Sequence, residues 1–147
     1  MRERHTAVFD TIGEDGRTTA KAIKECYDRR GEKVIVKTFT DSQGFLRDFC
    51  DRRYDMAFLA LNSPLDLAVA RGAGLADKNC PLVFVSSTGD YAIEAFNLAA
   101  LDYLLKPVTR ERAEKSVSRI ASEPVYQRKT VRSKTFLEEG SRECESF

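Results

Sequence analysis

The sequence of 147 residues lacks tryptophan and has a single histidine, His5. Its cysteines are few and widely spaced, at Cys26, Cys50, Cys80 and Cys144. No CxxC pair and no histidine cluster is present, which argues against a zinc site of the usual spacing. The pattern favours reduced thiols of a cytosolic protein over a disulfide framework.

Long apolar runs are also missing. No stretch approaches the roughly 18 to 20 residues that span a bilayer, and the first five residues lack the hydrophobic core of a signal peptide. Charge of one sign is not in excess either, because 24 Lys and Arg stand against 23 Asp and Glu. These absences predict a cytoplasmic globular protein without membrane contact. The balanced charge also gives no electrostatic reason to expect that the globular part binds nucleic acid.

What the sequence does contain is an alternation of strand and helix patterns. Strands are expected at 6–9, 33–39, 55–61, 81–86 and 103–105, and helices at 18–30, from Asp41 or Ser42 onward, at 65–76, 90–100 and 109–122. Ala92, Ala95 and Phe96 are the expected buried face of the fourth helix. Two strands are continuous apolar runs, which is typical of parallel strands covered on both faces. The order predicts an α/β fold, a flavodoxin-like (βα)5 doubly wound parallel five-stranded sheet within residues 1–123.

A site is expected beyond the carboxyl ends of these strands, where open α/β sheets bind their ligands. The side chains that emerge there come from four strand ends: Asp10 and Thr11, Ala60 to Asn62, Ser86 and Ser87, and Lys106. Asp55 lies five residues before Ala60, about 16 Å away at the opposite end of the sheet, because a strand rises about 3.3 Å per residue.

Two segments carry a family resemblance. The first is YDMAFLALNSP, residues 54–64, and the second runs from PLVFVSS at 81–87 through DYAIEAF at 90–96 to LDYLLKP at 101–107. Together they resemble bacterial response-regulator (CheY-like) receiver domains, especially the receivers that precede LytTR-type DNA-binding domains. The resemblance covers roughly residues 5 to 122.

That resemblance implies a chemistry which this sequence does not fully support. In receivers, two acidic residues after the first strand and an aspartate ending the third hold Mg²⁺, the aspartate accepts a phosphoryl group, and a Ser or Thr and a Lys neutralise its oxygens. Asp10, Ser86 and Lys106 match this template, but Thr11 stands at the second acid and Ala60 at the acceptor. A methyl group cannot form an acyl phosphate, and one carboxylate is a poor Mg²⁺ site. We therefore expect no catalytic residue and no cofactor, with Mg²⁺ bound only weakly, if at all, at Asp10.

Several alternatives stay open at this pocket. Glu14 and Asp15, in an expected loop at 13–16, could bend back to replace the acid missing at Thr11. Lys106 could pair with Asp10, or it could form an anion pocket with Ser86. The resemblance also implies a cis peptide between Lys106 and Pro107.

The resemblance further implies an interaction face. Tyr103 stands at the position of the switch aromatic residue, although the favoured interpretation is an amphipathic residue half buried at the edge of the sheet. Phe96 and Leu101 are apolar residues of the surface formed by 90–122. This face predicts docking of a protein partner or a homodimer.

Residues 124–147 read as a C-terminal arm or linker, disordered or partly helical, with five Lys and Arg against four Glu. Contact with DNA is expected only through this tail or through an absent output domain. The favoured hypothesis is a pseudo-receiver, a module of two-component or phosphorelay type regulated without aspartyl phosphorylation. The alternatives are a phosphoaccepting response regulator with an unconventional site and the input domain of a LytTR-type transcription regulator.

Overall fold

The computed structural model describes residues 3–121, in which five strands alternate with five helices. The strands are β1 (Arg4–Phe9), β2 (Val34–Phe39), β3 (Met56–Ala60), β4 (Leu82–Ser86) and β5 (Asp102–Leu105). The helices are α1 (Gly13–Arg30), α2 (Ser42–Asp51), α3 (Leu65–Ala76), α4 (Ala92–Asn97) and α5 (Arg110–Ala121). All strand pairs are parallel in the order β2-β1-β3-β4-β5, so the predicted flavodoxin-like fold is confirmed. The expected arm at 124–147 lies outside the described residues.

The central strands explain why the sheet is covered on both faces. Every residue of β3 and β4 is buried, as continuous apolar runs require. One face packs on α2, α3 and α4 through a cluster that includes the stacked rings of Phe9 and Phe45. The other packs on α1 and α5 through Ile23, Phe58 and Val117. With both faces covered, the sheet itself can offer side chains to a ligand at the ends of its strands.

Helix α1 begins five residues earlier than the sequence predicts. Gly13 to Gly16, expected as a loop, form its first turn. The Ile12 N–H donates to Asp10 Oδ1 at 2.9 Å, and Glu14 and Asp15 place negative charge at the positive end of the helix dipole. The two glycines gave the sequence a loop signal that these contacts override.

Helix α4 is shorter than predicted, and its expected buried face is wrong for two of three residues. Ala95 is buried, but Ala92 is exposed and Phe96 is 81% exposed. Tyr91 and Leu98, four residues before and three after Ala95, pack against the core instead. Their contacts fix the rotation of this helix, so Phe96 points away from the sheet.

The ends of α5 and α2 follow their sequence signals. The Arg112 N–H donates to Thr109 Oγ1 at 3.2 Å, and the Gly44 N–H donates to Asp41 Oδ2 at 2.7 Å. These are N-cap bonds, each of which satisfies a helix donor that has no partner within its helix. The peptide bond between Lys106 and Pro107 is cis.

Polar contacts join α1 to α5 across long sequence separations. Arg30 forms an ion pair with Glu114 at 2.9 Å and donates to Ser118 Oγ at 2.8 Å. The Cys26 thiol donates to the Arg110 carbonyl at 3.4 Å. Burial raises the pKa of the Cys26 thiol to about 11, so the thiol stays protonated at neutral pH.

A second polar cluster surrounds Asp48 on α2. Its carboxylate accepts hydrogen bonds from Lys37 at 3.1 Å, from Arg52 at 2.9 Å and from the Tyr54 hydroxyl. Burial opposes ionisation of Asp48, but these hydrogen bonds and the two positive charges outweigh it and lower the pKa of this carboxyl below its ordinary value.

Candidate functional site

Lys106, just after β5, lies at the centre of the carboxyl-end cluster. Its Nζ is 3.0 Å from Asp10 Oδ2, and it donates at 2.8 Å to Asp15 Oδ2 and at 2.8 Å to Asn62 Oδ1. The side chain is only 10% exposed. The contacts with Asp15 and Asn62 are hydrogen bonds, whereas the contact with Asp10 is an ion pair, because Asp10 Oδ2 accepts no hydrogen bond within the described residues.

Asp10 is fixed from several directions. Its Oδ1 accepts from the Ile12 N–H at 2.9 Å and from the Asn62 amide at 2.8 Å, while its Oδ2 faces Lys106. The residue is 1% exposed. Oδ1 is therefore fixed by two hydrogen bonds, whereas the buried Oδ2 has the ion pair with Lys106 but no hydrogen bond within the described residues.

Asn62 links the other members of the cluster. Its amide nitrogen donates to Asp10 and, at 3.0 Å, to Thr11 Oγ1, and its amide oxygen accepts from Lys106. The sequence placed Asn62 at a strand end but gave it no role. Only its position there could have drawn attention to it, because an amide is no signal of acid, base or metal chemistry by itself.

Asp15 reaches the site from α1. Its carboxylate contacts Lys106 from the first helical turn, whereas the sequence alternative placed Asp15 in a loop as a replacement for the acid missing at Thr11. Its side chain is 38% exposed, against 1% for Asp10. Asp15 is thus the more accessible of the two carboxylates that contact Lys106.

Ala60 ends β3 and is 2% exposed, so a buried methyl group stands where the resemblance implies the acceptor. Asp55 lies at the other end of the sheet. Its Oδ2 accepts from the N–H of His5, near the start of β1, and its own N–H donates to the His5 carbonyl. Asp55 is therefore held away from the Lys106 cluster.

Ser86, at the end of β4, is used by the backbone. Its hydroxyl donates to the Leu61 carbonyl at 2.9 Å and accepts from the Thr88 N–H at 3.3 Å. Ser86 joins Lys106 through the main chain, where the Lys106 N–H donates to the Ser86 carbonyl at 2.8 Å. Its hydroxyl is thus directed to Leu61 and not to the Lys106 ammonium.

The interaction-face residues differ in exposure. Tyr103 packs partly against the core, and its hydroxyl donates to the Thr88 carbonyl at 2.7 Å. Leu101 is partly buried against the α1 and α5 cluster, whereas Phe96 is largely exposed. Sequence reasoning missed Ile93 and Leu105, which are 75% and 44% exposed. A helical or strand period does not reveal them, because α4 has six residues and β5 has four, which is too few to show one.

The residues present do not fit a bound Mg²⁺. This ion requires near-octahedral oxygen ligands at about 2.0–2.1 Å, and the shared contact point of Asp10, Asp15 and Asn62 is taken by a positive charge. Within residues 3–121, no group of three or more His, Cys, Asp or Glu is placed to hold a metal ion. The site is a network of charges and amides, and Lys106 and Asp15 also line a surface pocket beside it.

Comparison with known proteins points to one class. No protein-family model matches the chain. An uncharacterized response regulatory protein of Vibrio cholerae is 29% identical over 108 residues, 73% of this chain and 46% of that protein. The transcriptional regulatory protein LytR of Staphylococcus aureus is 33% identical over 70 residues, 46% of this chain and 28% of that protein. The chain thus spans less than half the length of these relatives.

Solved structures agree with these sequences. The response regulatory domain of protein mrkE from Klebsiella pneumoniae matches with a TM-score of 0.67 at 20% identity, covering 80% of this chain and 95% of that one. A CheY-like receiver domain protein from Methanospirillum hungatei JF-1 matches with a TM-score of 0.64 at 14% identity, covering 82% and 95%. The described domain has the CheY-like receiver fold, and its sequence is similar to response-regulator proteins. Among the helices of residues 3–121, none has the length and apolar character needed to cross a membrane.

Proposed function

We propose that the protein is a pseudo-receiver, a signalling and protein-interaction module of two-component or phosphorelay type that works without aspartyl phosphorylation and without enzymatic activity of its own. One observation carries the proposal: the buried end of β3 presents the methyl group of Ala60, so the acceptor position has no nucleophile. Asp10 and Asp15 are the two carboxylates of the Lys106 cluster, and both contact the Lys106 ammonium.

The charge arrangement supports the same view. A phosphoryl donor needs positive charge that is free to neutralise its oxygens. Lys106 instead faces two carboxylates and an amide oxygen, and the Ser86 hydroxyl donates to Leu61. An incoming anion would meet two negative charges and one positive charge, which is unfavourable in a partly buried site.

Phosphorylation can be tested directly with acetyl phosphate, Mg²⁺ and intact-protein mass spectrometry. We expect no stoichiometric phosphate adduct on the wild type. The double variant Ala60→Asp and Thr11→Asp should gain Mg²⁺ binding and a Mg²⁺-dependent adduct. The matched control pairs Ala60→Asn with Thr11→Asp and offers no nucleophile.

The competing function is an unconventional phosphoacceptor, and exposure singles out Asp15 as its residue. A wild-type adduct that disappears in Asp15→Asn would establish this alternative and remove the pseudo-receiver. If the correctly folded double variant Ala60→Asp and Thr11→Asp forms no adduct, more than two missing acids separate this pocket from an active one.

The output is proposed to pass through residues 90–122, by a protein partner or a second copy of the chain. Ile93, Phe96 and Leu105 supply exposed apolar side chains on α4 and β5. Light scattering and sedimentation should show self-association that Phe96→Asp abolishes. Leu65→Asp is the control, because Leu65 is 80% exposed on α3 and lies outside the proposed face. If the wild type is monomeric at high concentration, the homodimer is excluded and docking of a different protein remains as the proposal.

A role as the input domain of a transcription regulator rests on the relatives. The LytR protein is named as a transcriptional regulator, and this chain matches 28% of its length. DNA contact would then come from the tail or from a further domain. Salt-dependent DNA binding by the full chain that is lost on truncation at Pro124 would support this role, and absence of binding at low salt would count against it.

A further inference from the structure

We infer that the Lys106 ammonium is the resident cation of this site, held by oxygens that would otherwise accept a divalent metal ion. Cation binding is measured separately from phosphoryl transfer, so this inference and the proposed function can fail independently.

The first step concerns the donor set. Three oxygens from separate parts of the fold converge on one nitrogen: Asp10 follows β1, Asp15 belongs to the first turn of α1, and Asn62 follows β3. Two carboxylates and an amide carbonyl are hard ligands of the kind that Mg²⁺, Ca²⁺ and Mn²⁺ prefer. Without Lys106, this cluster would be a pair of negative charges with no cation.

The second step concerns how firmly the ammonium is held. The side chain is 10% exposed, and the Lys106 main chain is tied to Ser86 by a 2.8 Å hydrogen bond. A tethered cation acts at a high effective concentration, whereas a free ion must bring its own desolvation cost. A metal entering beside Lys106 would also place two positive charges in contact. The wild type should therefore exclude divalent cations.

The third step concerns size. The three contacts to Nζ measure 2.8, 2.8 and 3.0 Å. Ca²⁺ takes oxygens at about 2.3–2.6 Å with flexible geometry, whereas Mg²⁺ demands about 2.0–2.1 Å and near-octahedral order. The oxygens need to move less to close on Ca²⁺. A site vacated by the lysine should consequently prefer Ca²⁺ to Mg²⁺.

Lys106→Met tests the inference, because methionine keeps much of the side-chain volume without the charge. Binding of Ca²⁺ and of Mg²⁺ is measured by titration calorimetry, and urea unfolding is followed with and without Ca²⁺. We expect no binding and no change of unfolding midpoint for the wild type. Lys106→Met should have a lowered midpoint, bind one Ca²⁺ per chain with a Kd on the order of 10⁻³ M, and recover part of its midpoint in Ca²⁺.

Two controls define the site. Lys115→Met removes an exposed lysine of α5 and should behave like the wild type. Adding Asp15→Asn to Lys106→Met should weaken Ca²⁺ binding at least tenfold, because it removes a proposed ligand. Lys106→Gln serves the same purpose if the methionine variant does not fold.

Some results would overturn the inference. One is a wild type that binds Ca²⁺ or Mg²⁺ as tightly as the lysine variants. Another is a folded Lys106→Met or Lys106→Gln protein that binds neither ion. If neither variant folds, the wild-type measurement alone still decides, because stoichiometric binding that Asp15→Asn removes would contradict a resident ammonium.

Discussion

The C-terminus of α4 offers a stability test, because it uses alanine where the backbone favours glycine. The Ala100 N–H donates to the Ala95 carbonyl at 3.1 Å, and the Ala99 N–H donates to the Phe96 carbonyl at 3.0 Å. This pair of bonds is the Schellman arrangement, which needs a left-handed residue after the helix. Ala99 fills that place with a φ of 59°.

Helix α1 supplies the matched case. Gly31 ends it with a φ of 69°, and the Glu32 and Gly31 N–H groups donate to the carbonyls of Tyr27 and Asp28, each at 3.0 Å. Apart from Gly31 itself and its two chain neighbours, no described residue has an atom within 4 Å of the position that a Cβ would take at Gly31. Substitution there changes the backbone energy and little else.

The expected magnitudes follow from these conformations. A residue with a side chain in the left-handed region destabilises the folded state by roughly 1–2 kcal/mol relative to glycine. Glycine opposes part of this gain, because its more flexible unfolded chain lowers the free energy of unfolding by about 0.4–1 kcal/mol. Ala99→Gly should therefore raise the free energy of unfolding by about 0.5–1 kcal/mol. Gly31→Ala should lower it by a similar amount.

Urea unfolding followed by circular dichroism can measure both effects. The denaturant slope should stay constant while the midpoint moves in opposite directions, and the double variant should return close to the wild type because the two helix ends are independent. The reasoning is refuted if Ala99→Gly destabilises the protein or if Gly31→Ala leaves it unchanged.

Two further predictions concern the free energy of unfolding. Gly74→Ala in α3 should raise it by about 0.5–1 kcal/mol in thermal or urea unfolding, since nothing lies within 4 Å of the added Cβ; Gly72→Ala should gain less, because its Cβ would lie 3.3 Å from Leu46. Asp48→Asn should lower the free energy of unfolding at pH 7 and make it depend less steeply on pH below about pH 5. The native pKa of Asp48 is depressed, so its contribution is full above the unfolded value of about 3.9 and is lost as pH falls through the native pKa. An unchanged slope of stability between about pH 5 and 2 would contradict this assignment.

The fold could be predicted because its signals are local and repeated. Buried runs at 55–61 and 81–86 required a sheet covered on both faces, and the expected helix at 65–76 has the same bounds in α3. Errors arose where a local signal competed with tertiary contacts. The glycines at 13 and 16 suggested a loop, but the Asp10 carboxylate accepts a hydrogen bond from the Ile12 N–H, just before α1 begins.

The candidate site was predictable in position but not in its contacts. Parallel strands bring Asp10, Ala60 and Lys106 to the same edge of the sheet, independently of the contacts that their side chains form. The sequence left Lys106 between a pair with Asp10 and an anion pocket, and the structure places it against Asp10 and Asp15. The bridging role of Asn62 depends on distances and angles between three loops, which no one-dimensional pattern records.

The contact between Asp15 and Lys106 spans 91 positions of the chain, and that between Arg30 and Ser118 spans 88. During synthesis, α1 therefore cannot form these two contacts until nearly the whole domain has left the ribosome. Because closing such long loops is slow, we expect these contacts to form after the main folding barrier. Weakening them should then speed unfolding far more than it slows folding, so these contacts lengthen the lifetime of the folded protein.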